Sequence, residues 1–390
     1  MRFFQSKILK IVMPEYFKQI SEPLLMQSYA TLFFVSFVLC LVIILASGYG
    51  FSRRAALDQM AIQSAHSGFV PRVGGLAIYI SILGLIPLMS IGFIPISVVF
   101  NLNAKELTWL IVSATPVFSV GLAEDLGYDM SPKARLVAST ISSLVALLVF
   151  GVWLSKLGIP GIDTIFMFTP FAILFTIFAT VGVTNAFNLI DGLNGLSSYV
   201  TISIALSLSI IAFNSGDIQI AIFLVLIVAS VLGFMVFNFP IGKIFLGDGG
   251  AYALGHMLVW SSILLINDAS EVSSFAILLV FFWPVADTIL AIWRRWKLGN
   301  PTDRPDRLHF HQLAMRFVEI RFFGRYKRNI VNPLSTVILV PLISAPQCLA
   351  IIFWDNFAAT MWCTAFMGLL FISTYLIGIN KAKNSRRYTS

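Results

Sequence analysis

The sequence predicts an all-α polytopic membrane protein of about eleven transmembrane helices, and three observations predict it. Hydrophobic residues make up 58% of the 390 and charged residues only 11%, against about 25% charged in a soluble globular chain; mean hydropathy is +0.89. Apolar runs long enough to cross a bilayer, roughly 20 residues each, recur from end to end. The basic residues collect in alternate connections between those runs.

In order, the runs fall near 28–49, 73–91, 107–123, 134–154, 165–184, 195–213, 217–237, 248–266, 272–293, 332–353 and 357–379. Their density leaves no room for a separate soluble domain. One transmembrane domain over 28–379 is expected, with a long loop at 294–331 and a basic tail at 380–390. Residues 1–27 lack the charged-then-apolar order of a cleaved signal peptide. They read as an interfacial segment lying on the membrane.

The basic residues orient the spans. Odd-numbered spans deliver the chain to one side, whose connections and tail hold 20 of the 26 Lys and Arg residues. The opposite connections hold two, Lys105 and Lys156, and the N-terminal segment holds the other four. The positive-inside rule puts the first group in the cytoplasm, so the chain is expected in the cell inner (plasma) membrane. The net charge of +8 reflects this sidedness and anionic membrane lipid. No basic stripe with interleaved aromatics stands outside the membrane, which excludes nucleic acid as a partner. Cys40, Cys348 and Cys363 lie in spans, odd in number and without CxxC spacing, and so promise neither a disulfide framework nor a zinc site.

Ten of the eighteen acidic residues fall on the cytoplasmic side. Asp58, Asp129 and Glu319 read as ordinary interfacial charge. Glu124, Asp125, Asp191, Asp248 and Asp287 do not, since they sit in or beside apolar sequence with no Lys or Arg at helical pairing distance. A charge at membrane depth is costly and marks a working site. Carboxylates that converge without local counter-charge repel one another, and a divalent cation relieves this. Oxygen ligands suit Mg2+, with Mn2+ as the alternative.

The remaining motifs point to phosphate chemistry. "NAFNLIDGLNGLSS" (185–198) sets Asn185, Asn188, Asp191 and Asn194 at three-residue steps, one broad helical face until Gly192 and Gly195 loosen it. Amide and carboxylate oxygens there can ligate a metal or read a sugar or base. "FLGDGG" (245–250) joins close backbone approach to a helix start, an anion site once a metal bridges the charges. Lys133 and Arg135 follow the acidic pair in "SPKARL" (131–136). The 294–331 loop gathers Arg304, Arg307, His309 and His311 around prolines, and arginine forks suit oxyanions. His256, two turns beyond Asp248, reads as a buried, hydrogen-bonded residue rather than a ligand.

At these residues the chain resembles the polyprenyl-phosphate N-acetylhexosamine-1-phosphate transferases, the group of the enterobacterial common antigen and teichoic acid initiators and, more distantly, the muramoyl-pentapeptide translocase. Five blocks match in order: "HSGFVPRVGGLAI" (66–78), "GLAEDLGYDMSPKARL" (121–136), "NAFNLIDGLNGL" (185–196), "FLGDGGAYALG" (245–255) and "PVADTILAIWRRWKLGNPTDRPDRLHFHQL" (284–313). The resemblance implies roles. Asp248 and Asn188 would share the metal, and Glu124, Asp125 and Asp248 would be the catalytic acids. Phe245 would stack on uracil, and Asp191 would be the nucleotide-site acid. Lys133 would lie near the diphosphate, and His309 and His311 would close over the substrate phosphates. Asn185, Asn194, Arg304 and Arg307 join them as substrate-binding candidates.

Two departures stand out. Glu124 replaces the first Asp of the family's usual Asp-Asp pair, and Gln312 replaces a further His. The translocase's histidine triplet is missing, which argues against the peptidoglycan precursor.

The implied reaction is attack by the phosphate of undecaprenyl phosphate on the sugar-linked phosphorus of a UDP-sugar, releasing UMP. UDP-GlcNAc is the first expectation, with another N-acetylated amino or 6-deoxy sugar as alternative. The product would initiate a cell-surface polysaccharide such as O-antigen, capsule or exopolysaccharide. A homodimer is left open. The competing class, a secondary transporter, predicts charges near the bilayer midplane and a repeat between the two halves. The acids instead cluster at one rim.

Overall fold

The computed structural model describes residues 22–50, 70–90, 104–298, 309–323 and 327–387, and no strand occurs among them. The chain opens with α1 (Glu22–Gly50), α2 (Gly74–Ser90), α3 (Ala104–Ser113), α4 (Thr115–Asp125) and α5 (Pro132–Phe150). After the short α6 (Asp163–Phe166) come α7 (Thr169–Ile190), α8 (Leu196–Asn214), α9 (Ile218–Asn238) and α10 (Gly247–Asp268). Then follow α11 (Ser274–Val280), α12 (Phe282–Leu298), α13 (Phe310–Val318), α14 (Arg328–Ile352) and α15 (Phe357–Arg387).

Seven of the described helices are long and apolar enough to cross a membrane, or up to nine spans if each of two bent pairs counts as one. Shorter apolar helices cover Ala30–Ala46 and Gly74–Leu85. Each apolar run of the sequence thus meets a helix or a bent pair, and the chain is an all-α, multi-pass membrane protein.

The bends were not visible in hydropathy, because the apolar run continues through both. α3 and α4 meet at 44°, α11 and α12 at 78°. Pro116 and Pro284 stand in the first turn of the second helix of each pair. There a missing N–H leaves no bond unmade, while the ring blocks continuation of the preceding helix. Other ends follow local chemistry. Ser131 accepts the Ala134 N–H at 3.2 Å to start α5, and Gly151 closes that helix in the left-handed region at φ 67°.

α10 is the axis of the bundle, packed on α2, α4 and α7 and buried at every position from Gly249 to Ile263. Two crossings are backbone to backbone. A Cβ on Gly75 would come within 2.2 Å of Gly250 Cα, and one on Gly121 within 2.5 Å of the Gly249 nitrogen. Polar side chains also join helices inside the bundle. The Ser230 hydroxyl bonds Ser36 at 2.7 Å and Ser81 at 2.9 Å, and Ser143 bonds Thr180 at 2.8 Å. His256 is fully buried and meets Ser113 Oγ at 3.0 Å beside the α3–α4 bend, in keeping with its reading as a hydrogen-bonded core residue.

The 294–331 stretch, expected as a loop, is largely helical where described. α12 runs on to Leu298, and α13 passes into a π-helical turn at Glu319–Phe323. Arg294 is buried and donates to the Tyr375 hydroxyl at 2.5 Å. Glu319, read as ordinary interfacial charge, is buried too, and accepts from Arg328 Nε at 3.0 Å. α1 begins inside the N-terminal segment, and α15 carries helix into the tail as far as Arg387. Residues 1–21, Asp58, Arg304 and Arg307 lie outside the described residues.

Candidate active site

Asp248 is the one residue between Gly247 and Ile263 that is not buried. Asn188, in the last turn of α7, donates its amide to Asp248 Oδ1 at 2.8 Å. Glu124, in the last turn of α4, lies beside Asp248 and accepts from Arg135 Nη1 at 3.2 Å. Its Oε2 is buried with no hydrogen-bond partner. Arg135 is bonded in turn to the Tyr252 hydroxyl, one turn along α10 from Asp248. Carboxylates that lack a counter-charge in sequence thus gain one in space, since Arg72 also approaches Asp125 at 4.0 Å.

Asp125 is placed differently. Its Oδ1 accepts the Asp248 N–H at 2.9 Å and its Oδ2 the Gly249 N–H at 3.0 Å. Asp191, at the C-cap of α7, accepts from the Ser197 hydroxyl at 2.6 Å and from the Gly247 N–H. The first N–H groups of a helix have no partner within it; here two carboxylates from α4 and α7 fill three of them. In "FLGDGG", expected to hold an anion once a metal bridges the charges, these donors are taken by the chain's own carboxylates. The helix start already holds anions, and its last two glycines serve the contacts with α2 and α4. Burial, reinforced by the charge of Asp248 and opposed by the Ser197 hydrogen bond, pushes the Asp191 carboxyl up to about 6.

Phe245 is set by main-chain pairing with the 66–78 block. Its N–H donates to the Pro71 carbonyl at 2.9 Å, and its carbonyl accepts from the Gly74 N–H at 3.1 Å. The Gly75 N–H donates to the Leu246 carbonyl at 2.7 Å. Residues 71–75 thus fix the main chain that leads into Asp248.

Three sequence candidates fall elsewhere. The expected asparagine face ends with α7 at Ile190. Asn194 is buried beyond it, where its amide donates to the Pro240 carbonyl at 2.9 Å and its N–H to Asn332 Oδ1 at 2.7 Å. The Asn185 amide turns to Ser139 Oγ at 3.2 Å and the Val181 carbonyl at 2.8 Å. Lys133 is exposed at the start of α5, and Arg135 takes the place beside the acids. Arg135 precedes the buried Ser139 by one helical turn, the spacing that could have singled it out.

The His-x-His motif arrives at the same end. His309 Nδ1 lies 2.9 Å from Asp287 Oδ2, and Asp287 Oδ1 accepts the Phe310 N–H at 3.0 Å. The His311 ring stacks on His309, centroids 5.7 Å apart at 14°. It also packs on Gly192, where a Cβ would come within 2.6 Å of His311 Nε2. Both His311 ring nitrogens are buried without a partner, and burial pushes its pKa down to about 4. Asp287 was legible as one of the acids without local counter-charge, but its pairing with His309 and Phe310 was not.

Among the described residues no three His, Cys, Asp or Glu side chains form a metal-binding group. Asp248 and Asn188 instead offer one carboxylate and one amide oxygen, with the unpartnered Glu124 Oε2 on the neighbouring helix. That sparse set suits Mg2+, which takes one or two carboxylates and completes its shell with water and substrate phosphates.

Residues 107–266 match the model of the family described as glycosyl transferase family 4. A protein of Bacillus subtilis (strain 168), named "Probable undecaprenyl-phosphate N-acetylglucosaminyl 1-phosphate transferase", is 28% identical over 67% of this chain and 70% of its own length. The decaprenyl-phosphate N-acetylglucosaminephosphotransferase of Mycobacterium tuberculosis (strain ATCC 25618 / H37Rv) is 30% identical over 68% of this chain and 70% of its own. The undecaprenyl-phosphate alpha-N-acetylglucosaminyl 1-phosphate transferase of Escherichia coli (strain K12) is 28% identical over 68% and 72%. With the helical membrane fold and the site at one end of the bundle, these likenesses place the chain in glycosyl transferase family 4, among the polyprenyl-phosphate N-acetylglucosaminyl 1-phosphate transferases.

Proposed function

We propose that the protein transfers N-acetylglucosamine 1-phosphate from UDP-GlcNAc to undecaprenyl phosphate, releasing UMP and forming a lipid-diphosphate sugar that starts a cell-surface polysaccharide. The observation that carries this reading is the Asn188–Asp248 pair beside Glu124, in a chain whose relatives bear the names above. Asp248 and Asn188 would hold Mg2+, which neutralises the diphosphate and the leaving UMP.

The chain's own groups do the rest. The attacking lipid phosphate is already an anion, because the second pKa of a phosphate monoester is about 6. Positioning and charge neutralisation therefore outweigh proton removal. Glu124 faces the lipid phosphate and takes up its residual proton. Arg135, tied to Glu124 and Tyr252, brings positive charge to the acids. His309 and His311 approach the diphosphate from α13, with Arg304 and Arg307 just before them in the chain. The polyprenyl tail lies along the spans, which explains an enzyme embedded in the bilayer. The positive-inside rule sets the site on the cytoplasmic side of the inner membrane.

The test incubates membranes carrying the protein with undecaprenyl phosphate, Mg2+ and each of a panel of UDP-sugars. UMP release with UDP-GlcNAc is the expected result. Release with a different N-acetylated sugar alone replaces the substrate, and no release with any overturns the transferase reading.

A further inference from the structure

We propose that Asp287 is a positioning residue for this reaction, fixing the ring and proton placement of His309 and, through it, the seating of the His309–His311 pair. The inference rests on the transferase reading above.

Asp287 lies just past the 78° break between α11 and α12 and is 2% exposed. Both of its oxygens are engaged by the same two residues, His309 Nδ1 at 2.9 Å and the Phe310 N–H at 3.0 Å. One contact sets a side chain and the other sets the backbone that carries it. His309 occupies the N-cap of α13 yet makes no capping bond of its own. Asp287 caps that helix from a distant element, freeing the His309 ring to turn toward it.

An ionised carboxylate only accepts, so the Asp287 contact places a proton on His309 Nδ1 and makes Nε2 the nitrogen that exchanges protons or donates to a substrate oxygen. A carboxylate behind a working histidine is a recurring means of orienting it, and its loss typically costs about tenfold to hundredfold in activity. The effect propagates. The His311 ring is stacked on His309 and held against Gly192, next to the Asp191 that bonds the Gly247 N–H. Residue 287 is thus linked contact by contact to the start of α10, and nothing in the 21 residues between it and His309 reveals it.

The experiment is a double-mutant cycle in the full-length membrane protein, with kcat and KM for UDP-GlcNAc measured for wild type, Asp287→Asn, His309→Ala and the double variant. Asp287→Asn is expected to lower kcat/KM by about tenfold to hundredfold. The loss should fall on kcat more than on KM, because the His309 ring is still present but misoriented. In the His309→Ala background the same change should add nothing. Additive losses, a loss confined to KM, or full activity in Asp287→Asn each overturn the proposal while wild-type turnover leaves the transferase reading intact. An inert wild type overturns both. Should Asp287→Asn fail to fold, His309→Asn keeps a donor toward Asp287 and removes the free ring nitrogen. A loss of at least tenfold with an unchanged melting temperature then supports the proposal, and unchanged kinetics sink it.

Discussion

Asp125 accepts the backbone N–H of Asp248 at 2.9 Å, so the second member of the acidic pair builds the helix start that carries the proposed metal-binding carboxylate. The two neighbours Glu124 and Asp125 therefore divide their contacts, one facing Arg135 and the Asp248 side chain and the other facing the main chain. Their variants should separate in the same way.

Asp248→Asn is expected to abolish transfer while the protein still inserts and folds. Its side chain is not buried, accepts the Asn188 amide at 2.8 Å and lies beside Glu124. Losing a ligand charge from a metal site removes several kcal/mol of transition-state stabilisation, about a thousandfold or more in rate. Turnover of the purified variant within about tenfold of wild type at saturating Mg2+ would contradict the assignment.

Asp125→Ala should lose stability and activity together. It strands the N–H groups of Asp248 and Gly249 in a buried place, at about 1–3 kcal/mol for each unmet donor. A lowered melting temperature that tracks the lost activity is the expected signature. Loss of activity with an unshifted melt would return Asp125 to the chemistry.

Glu124→Gln should lose on the order of tenfold to a hundredfold, with the deficit shrinking as pH rises and the lipid phosphate ionises unaided. Glu124→Asp should retain substantial activity despite a longer reach to Arg135. The measurement is kcat against pH for both variants. A Gln deficit constant from about pH 6 to 9 excludes the base role.

Gly75→Ala and Gly182→Ala form a matched pair. A methyl at Gly75 meets the backbone of Gly250 at 2.2 Å, whereas nothing lies within 4 Å of one at Gly182. Overpacking against a main chain that cannot rotate away costs about 1–3 kcal/mol or more. The same change at an open helical position gains about 0.5–1 kcal/mol. Yield and melting temperature should fall for the first and hold or rise for the second.

Asp217→Asn should stabilise the protein at alkaline pH. Asp217 caps α9 by accepting the Ile220 N–H at 3.0 Å. Burial first, with the charges of Asp268 and Glu106, pushes its carboxyl from 3.8 up to about 6. The folded state thus holds the proton more tightly than the unfolded one. Its contribution is present below about pH 4 and lost as pH rises through 6. Asn keeps the cap without the charge. Melts of the two proteins should coincide near pH 4 and separate by pH 8, the variant higher.

The spans were legible because hydropathy reports a one-dimensional property that the bilayer itself demands. The bends were not, although Pro116 and Pro284 marked them, since an apolar run reads the same straight or broken. Asp248 could be singled out as an acid without local counter-charge, and Asn188 by its spacing and its place in a matching block. What Asp125 does could not, because it depends on main-chain donors 123 residues away. Lys133 and Arg135 look equivalent as charges, and only the buried face of α5 decides between them. Asn194 shows the opposite failure. A regular spacing in sequence keeps one face only while the helix lasts, and α7 stops at Ile190.

The contacts at Gly75–Gly250 and Gly121–Gly249 have a bearing on how sharply the site is defined. Where helices meet through side chains, their separation fluctuates as rotamers hop. Here α2, α4 and α10 meet atom against main-chain atom, so the tolerance is set by van der Waals radii. Glu124 and Asp248 therefore ride on helices whose separation no side chain sets at these crossings. Charges arranged ahead of the reaction need no reorganisation when it occurs, and in this protein that readiness is machined by residues that have no side chain at all.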